Sequence, residues 1–211
     1  MSLSRAPRRS RSTSGRAILL TAVTLAGAVT LTACGDGDGG SKSSGSAGGN
    51  YVTGSSGIST VAKAGRTAAP KLDGETVDGK TLDTTALKGK VVVLNVWGSW
   101  CPPCRAEAPN FAKVAKEMEA AGQPVAFVGI NTRDNAKQSA ASFEETYGIT
   151  YPSLFDPDGK LMLRFPKDAL NPNAIPSTLV LDKDGKIAAR TLAAVSEKKL
   201  RAMIDPILAE K

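Results

Sequence analysis

Residues 91–104, with the sequence VVVLNVWGSWCPPC, decide the fold of this chain. The apolar, largely β-branched run from Val91 to Val96 is typical of a strand that is buried on both faces. Cys101 and Cys104 follow at the start of a predicted helix, where peptide dipoles and free N–H groups favour a thiolate over a thiol. This arrangement predicts thiol–disulfide exchange, with Cys101 as the exposed attacking sulfur and Cys104 as the shielded sulfur that resolves the mixed disulfide.

The composition argues against two other interpretations of the cysteine pair. A zinc site needs four ligands, and the sequence contains three cysteines and no histidine. A structural disulfide that closes so short a loop would constrain little of the unfolded chain. The lack of histidine also excludes Ser-His-Asp and Cys-His hydrolases from a single chain. We therefore expect a redox-active disulfide between Cys101 and Cys104, with no metal and no other cofactor.

The first 33 residues predict an export signal. Five arginines and no acidic residue occur there, and residues 17–33 form an apolar stretch, rich in small side chains, that is short for a membrane span. The stretch ends in Leu31-Thr32-Ala33-Cys34, which resembles the bacterial lipoprotein box, so Cys34 is the predicted lipidation site. An ordinary secretory signal followed by an unused thiol is the alternative. Both the Sec and the twin-arginine export routes stay open.

The rest of the chain divides into a tether and one domain. Residues 34–64 are rich in glycine and serine, which predicts a flexible tether behind the lipidated cysteine. Residues 65–211 have the length of a single domain. The net charge of the chain is +7 and falls to +2 without the five signal arginines, so no nucleic-acid partner is expected. We expect the domain to be extracytoplasmic, anchored by lipid to the outer face of the cytoplasmic membrane.

Helices alternate with mostly buried strands in the predicted domain. The patterns predict hairpins at 71–82 and 177–192, strands at 91–96, 125–130 and 151–155, and helices at 103–121, 135–147, 161–165 and 196–209. This succession predicts an α/β fold in three layers, an α/β/α sandwich around a mixed central sheet.

Several short motifs occur in the order found in one known family. They are Ala69-Pro70, Asp78-Gly79-Lys80, Leu87-Lys88-Gly89-Lys90, Asn95-Val96-Trp97, Trp100-Cys101 with Cys104, and Ile175-Pro176-Ser177-Thr178. Through this series, residues 68–209 resemble the TlpA/ResA-like family of membrane-tethered thiol–disulfide oxidoreductases. The resemblance implies the thioredoxin fold, with an N-terminal β-hairpin and an αβ insertion between residues 131 and 165.

The resemblance also implies how partner proteins bind. Pro176 would be the cis proline of the fold, lying beside the active site so that the backbone of Ile175 can pair with an extended partner segment. Trp100, Pro102 and Pro103 lie next to the first cysteine and complete the set of predicted partner-binding residues. The alternative for Pro176 is an ordinary trans proline in a loop.

Glu107, three residues after Cys104, also gains a role from the resemblance. It would tune the pKa values of the cysteines and accept the proton when Cys104 attacks. Thioredoxins place a buried aspartate six residues before the first cysteine, and this chain has Asn95 there, which cannot take a proton. The alternative is a solvated glutamate that merely interacts favourably with the helix dipole.

The family resemblance implies the reduction of disulfides in proteins of the cell envelope, such as apocytochrome c during cytochrome c maturation. Electrons would then come from a membrane donor of the CcdA/DsbD type. A disulfide-forming oxidase of the same fold is the main alternative, because the two activities differ only in reduction potential, about −270 mV for thioredoxin against about −120 mV for DsbA. A thiol peroxidase and a non-enzymatic binding lipoprotein are the remaining alternatives.

Overall fold

The structure is a computed structural model that describes residues 50–210. The predicted signal segment, Cys34 and residues 34–49 of the predicted tether lie outside this range. The strands and helices are β1 (Tyr51–Thr53), β2 (Ser59–Val61), β3 (Asp73–Glu75), β4 (Thr81–Asp83), β5 (Val91–Trp97), α1 (Pro102–Ala120), β6 (Val125–Thr132), α2 (Lys137–Tyr147), β7 (Ser153–Asp156), β8 (Ser177–Leu181), β9 (Ile187–Thr191) and α3 (Glu197–Leu208). Short 3-10 helices occur at Lys63–Gly65, Thr84–Leu87 and Met162–Arg164. No helix within residues 50–210 is long and apolar enough to cross a membrane.

The predicted mixed sheet is confirmed, and within the described residues it has seven strands in the order β1-β2-β9-β8-β5-β6-β7. Strands β5, β6 and β7 run parallel to one another, whereas the other neighbours are antiparallel. All seven residues of β5 are buried, as its continuous apolar sequence predicts. The predicted N-terminal hairpin is formed by β3 and β4, outside this sheet.

Alternate residues of β5 pack into two apolar layers on opposite faces of the sheet. On one face, Val93 shares a cluster with Phe111 of α1 and Leu200 of α3. On the other face, Leu94 packs in a cluster with side chains from residues 161–170. This packing confirms the predicted three-layer α/β architecture. It also holds the N-terminus of α1 close to the end of β5, where the two cysteines lie.

The start of the domain differs from the prediction. Residues 51–61, for which the composition predicts part of a flexible tether, form β1 and β2, and β2 pairs with β9 through Thr60 and Ala189. The tether prediction is wrong here because the edge of β9 supplies backbone partners to a segment that has few apolar residues of its own. The guanidinium of Arg190 also lies over the Tyr51 ring, 4.1 Å from its centroid. The folded domain therefore includes the chain from residue 51 onward.

Arg66 connects this N-terminal segment to the rest of the domain through hydrogen bonds and ion pairs. Its buried guanidinium donates to Asp182 at 3.1 Å and to the two carboxylate oxygens of Glu210 at 2.6 and 2.5 Å, while its Nε donates to the Val61 carbonyl at 3.1 Å. Hydrogen bonding to Arg66 lowers the pKa of Glu210. These bonds join the end of β2, the turn between β8 and β9 and the segment after α3.

Candidate active site

The two cysteines lie at the N-terminus of α1, shortly after β5. They form a disulfide, with their Cα atoms 5.3 Å apart. Cys101 is the N-cap residue of the helix, and the backbone N–H of Cys104 donates to its Sγ at 3.3 Å. Because Pro102 and Pro103 lack an N–H, this is the first amide of the helix that can reach the sulfur. The helix therefore offers a Cys101 thiolate one hydrogen bond and the positive end of its dipole.

Both sulfurs are buried in this oxidised form, with Cys101 2% exposed and Cys104 1% exposed. The expected contrast between an exposed Cys101 and a shielded Cys104 is therefore wrong for the disulfide state. Both residues pack into one cluster with Trp97, Ala108 and Phe143, and this packing covers the first sulfur as well as the second. Within residues 50–210 no group of three or more Cys, His, Asp or Glu side chains is placed to hold a metal ion.

The indole of Trp100 is 44% exposed beside Cys101. Its Nε1–H donates to the backbone carbonyl of Thr132 at 3.2 Å, at the end of β6. The indole passes over Gly98, where a Cβ atom would come within 2.5 Å of the indole nitrogen. Glycine at this position is therefore required for the indole to reach β6. Trp100 presents an apolar surface to solvent next to the reactive disulfide.

Asp134 fixes the loop between β5 and α1, a role that the sequence pattern did not reveal. This buried carboxylate accepts hydrogen bonds from the backbone N–H of Ser99 at 2.9 Å, from the Ser99 hydroxyl, and from Asn131 Nδ2 at 2.6 Å. Parallel pairing of Trp97 with Asn131 brings the ends of β5 and β6 to the same edge of the sheet. Polar residues directly after two neighbouring parallel strands were therefore an available signal.

The Ile175–Pro176 peptide bond is cis, as the resemblance implies. Pro176 directly precedes β8, and the pairing of Ser177 with Val96 places it beside the end of β5. Ile175 packs against the cluster that contains both cysteines. The structure thus brings Ile175 and Pro176 to the disulfide from a distant part of the chain.

Glu107 is 2% exposed, so it is not the solvated residue of the alternative interpretation. Asn95 Nδ2 donates to its Oε1, and the backbone N–H of Val195 donates to its Oε2, both at 2.9 Å. Burial raises the pKa of Glu107 to about 7, while these hydrogen bonds and the charge of Lys199 oppose the rise. A carboxyl group that titrates near neutral pH can accept and return a proton, and this one lies one helical turn from Cys104.

Comparison with protein families agrees with this geometry. The Redoxin family profile matches residues 63–204, a range that includes the disulfide and the cis proline. The thiol-disulfide oxidoreductase ResA of Bacillus subtilis (strain 168) is 30% identical over 132 residues, which make up 63% of this chain and 69% of that protein.

Solved structures share the architecture. A DsbF homologue from Corynebacterium diphtheriae has a TM-score of 0.66 and 32% identity, and the match covers 76% of this chain and 99% of that one. A secreted thiol-disulfide isomerase from Corynebacterium glutamicum has a TM-score of 0.66 and 29% identity, covering 79% of this chain and 100% of that one. The chain therefore belongs to the Redoxin family, among its thiol–disulfide oxidoreductases with the thioredoxin fold.

Proposed function

We propose that this protein reduces disulfide bonds of other proteins outside the cytoplasm. The observation that carries the proposal is the buried carboxyl group of Glu107, one helical turn from Cys104. When ionised, this group disfavours a thiolate nearby, and Pro102 and Pro103 leave few amides to stabilise one at Cys101. Strong oxidants of this fold owe their potential to a stabilised reduced form. A less stabilised thiolate therefore favours the reductase direction.

The reaction proceeds in two exchanges. The Cys101 thiolate attacks a disulfide of the partner, forms a mixed disulfide and releases one partner sulfur as a thiolate. Cys104 then loses its proton to Glu107 and attacks Cys101 Sγ, which breaks the bond to the partner. The partner leaves with both of its sulfurs reduced, and the Cys101–Cys104 disulfide forms.

The partner segment docks beside the cis proline. The backbone of Ile175 is the proposed pairing edge for an extended segment, as in other cases of strand addition. Trp100 supplies an exposed apolar surface beside Cys101. Pro102 and Pro103 restrict the backbone between the two cysteines, and Pro176 restricts the backbone next to Ile175.

The proposed location rests on the predicted export signal and on the similar protein from Corynebacterium glutamicum, which is described as secreted. In this proposal Cys34 carries the lipid anchor, apocytochrome c is the candidate substrate, and a membrane protein of the CcdA/DsbD type supplies electrons. Replacing Cys34 by alanine is expected to move the protein from the membrane fraction to the soluble fraction. Cys101→Ala, the matched control, is expected to remain with membranes.

A redox titration of the Cys101–Cys104 couple tests the direction of electron flow. A reductase is expected to have a potential near that of thioredoxin, about −270 mV. Replacing Pro102 by glycine restores an amide near Cys101 and is expected to raise the potential by tens of millivolts at most, since a hydrogen bond to a charged group contributes about 1.5 kcal/mol. A native potential near about −120 mV would assign the protein to the disulfide-forming oxidases instead.

A further inference from the structure

Four segments of the chain surround the disulfide. They are the loop from β5 into α1, the end of β6 with the loop after it, the loop that leads into β8, and the segment after β9, which comprise residues 98–106, 131–136, 171–177 and 192–196. Trp100 in the first segment bonds to the Thr132 carbonyl in the second. Ile175 in the third packs against the cysteine cluster, and Val195 in the fourth donates its N–H to Glu107. A partner segment that reaches the disulfide therefore contacts these residues.

The exposed charged side chains of these four segments are both arginines, Arg105 and Arg133. The segments contain one acidic residue, Asp134, which is buried and bonded to neutral donors. Two further acids follow directly in the sequence, but Glu107 is buried and Glu197 is engaged in two ion pairs. Among residues 50–210, no carboxylate forms an ion pair with either arginine. The accessible charge around the disulfide is therefore positive.

Both guanidinium groups are held in place by neutral acceptors. Arg105 Nε donates to the Ser99 carbonyl at 2.8 Å. Arg133 Nη2 donates to the Pro172 carbonyl at 2.9 Å and to Asn173 Oδ1 at 3.4 Å. These bonds order the side chains without cancelling their charge, so less conformational entropy is lost when a ligand binds. Arg105 keeps both terminal amino groups available, and these form the planar fork that pairs with a carboxylate.

The backbone of Arg133 is a second, independent indication that its side chain has a role. Its φ angle is +58°, and it is the one residue other than glycine with a positive φ among residues 50–210. This left-handed conformation is unfavourable for a residue with a Cβ atom, and glycine would adopt it without strain. Such strained residues concentrate at functional sites. A long cationic side chain therefore occupies a position that the backbone alone would give to glycine.

We propose that Arg105 and Arg133 select partner segments that carry carboxylates next to the target disulfide. The proposal rests on the proposed function and names its class of substrate, an acidic peptide segment. In strand addition the backbone bonds, here at Ile175, supply affinity, whereas side-chain contacts supply specificity. The carboxylates of the partner form ion pairs with the two arginines, which steers the partner toward the disulfide and speeds its association.

Single-turnover exchange with synthetic peptides tests this selection. Three peptides differ only in having glutamate, glutamine or lysine directly before and after one cysteine, which carries a neutral thiopyridyl group in a mixed disulfide. In the reduced Cys104→Ser variant, the Cys101 thiolate attacks the peptide sulfur, and thiopyridine leaves with the electron pair of the broken bond and absorbs light. A chain with serine at both positions gives the background from Cys34. The rate of each peptide with a small neutral thiol corrects for intrinsic reactivity.

The corrected second-order rate constant is expected to be at least about threefold higher for the glutamate peptide than for the glutamine peptide at low salt. The lysine peptide should react more slowly than both. The preference should shrink as salt is added, because salt screens exposed charges. Equal rate constants for the glutamate and glutamine peptides would overturn the proposal.

Arg105→Gln and Arg133→Gln should each reduce the glutamate preference, and the double variant should lose it. Arg133→Lys should retain part of it. The matched control is Arg164→Gln, since Arg164 is an exposed arginine outside the four segments that also donates to a backbone carbonyl, that of Lys71. This control is expected to keep the native preference.

The preference is a ratio of two peptides measured on the same variant, so a change in the reactivity of Cys101 cancels. If the double variant slowed all three peptides equally and kept the native ratio, the arginines would support the loops without selecting charge, and the proposal would be wrong. The exchange does not depend on the reduction potential of the Cys101–Cys104 couple. An oxidase-like potential would therefore refute the proposed direction of electron flow and leave the peptide preference unaffected.

Discussion

The proton affinity of Glu107 depends on its surroundings more than on its residue type. On an exposed helical turn it would be an ordinary carboxylate, whereas here it is enclosed between α1, β5 and the segment before α3. Two neutral donors and a distant lysine do not offset the loss of water, so the pKa of Glu107 rises. The protonation of this one buried residue therefore affects both the stability of the fold and the proposed chemistry of the disulfide.

This burial predicts a specific dependence of stability on pH. Glu107 binds a proton more tightly in the folded state, where its pKa is about 7, than at its ordinary value of 4.5. Its stabilising contribution is therefore complete below pH 4.5 and is lost as pH rises through 7. Relative to Glu107→Gln, the native free energy of unfolding should fall by about 2.5 kcal/mol between pH 5 and 8. Urea unfolding at both pH values measures this change, and Glu119→Gln, an exposed neighbour on α1, should retain the native dependence.

The serine variants of the two cysteines are expected to differ in how much covalent complex they form with partner proteins. Cys104→Ser retains the attacking sulfur but cannot resolve the mixed disulfide, so it should accumulate covalent complexes with partner proteins. Cys101→Ser should form few such complexes and should lose disulfide reductase activity. Non-reducing gels of cell-envelope extracts compare the two variants. Complexes that form mainly with Cys101→Ser would reverse the assignment of attacking and resolving sulfur.

At the scale of elements, the β5–α1 loop is positioned by a residue that follows the neighbouring strand β6. Asp134 accepts the Ser99 N–H and the Asn131 amide in a buried setting, so removing its carboxylate leaves these donors without a partner. Asp134→Ala should lower the free energy of unfolding by about 1–3 kcal/mol. It should also lower kcat/KM for disulfide reduction, because the loop carries Trp100 and Cys101 into the site.

The exposed Asp158, which pairs with Lys160 in the turn after β7, supplies the control for this prediction. Asp158→Ala should change the free energy of unfolding by less than about 0.5 kcal/mol. If Asp134→Ala lost stability while its reductase rate and its reduction potential stayed native, Asp134 would support the fold without positioning the site.

How well each element could be predicted depends on whether its stability is local. The apolar run of β5 and the helical periodicity of α1 can be read from each segment alone. The bounds of both elements agree with prediction to within one residue. Strands β1 and β2 lack such a pattern, because β2 forms by pairing with the edge of β9 and β1 by pairing with β2. Polar residues after β5 and β6 indicated this edge of the sheet, but the partners of Asp134 could be recognised only once strand register was known. The same holds for the burial of Cys101, which depends on side chains from α2.

At the scale of the whole molecule, Arg66 connects segments that are far apart in the sequence. Replacing it by methionine keeps much of its apolar volume but removes its bonds to Asp182 and Glu210. Since hydrogen bonds to charged groups contribute about 1.5–3 kcal/mol, Arg66→Met should lower the free energy of unfolding by at least this amount. Arg164→Met, at an exposed ion pair with Asp73, should cost less than about 1 kcal/mol. Equal losses of unfolding free energy in the two variants would show that Arg66 stabilises the fold no more than an exposed ion pair does.

The two tryptophans are positioned so that their fluorescence should report the redox state of the Cys101–Cys104 pair. Trp97 packs in the same cluster as both cysteines, and Trp100 is adjacent to Cys101. Disulfides quench the fluorescence of nearby indoles, and the sequence has no tryptophan elsewhere to add a constant background. Emission excited at the red edge of the absorption band should therefore brighten when the pair is reduced. Each catalytic cycle can then be followed in real time without attaching a dye.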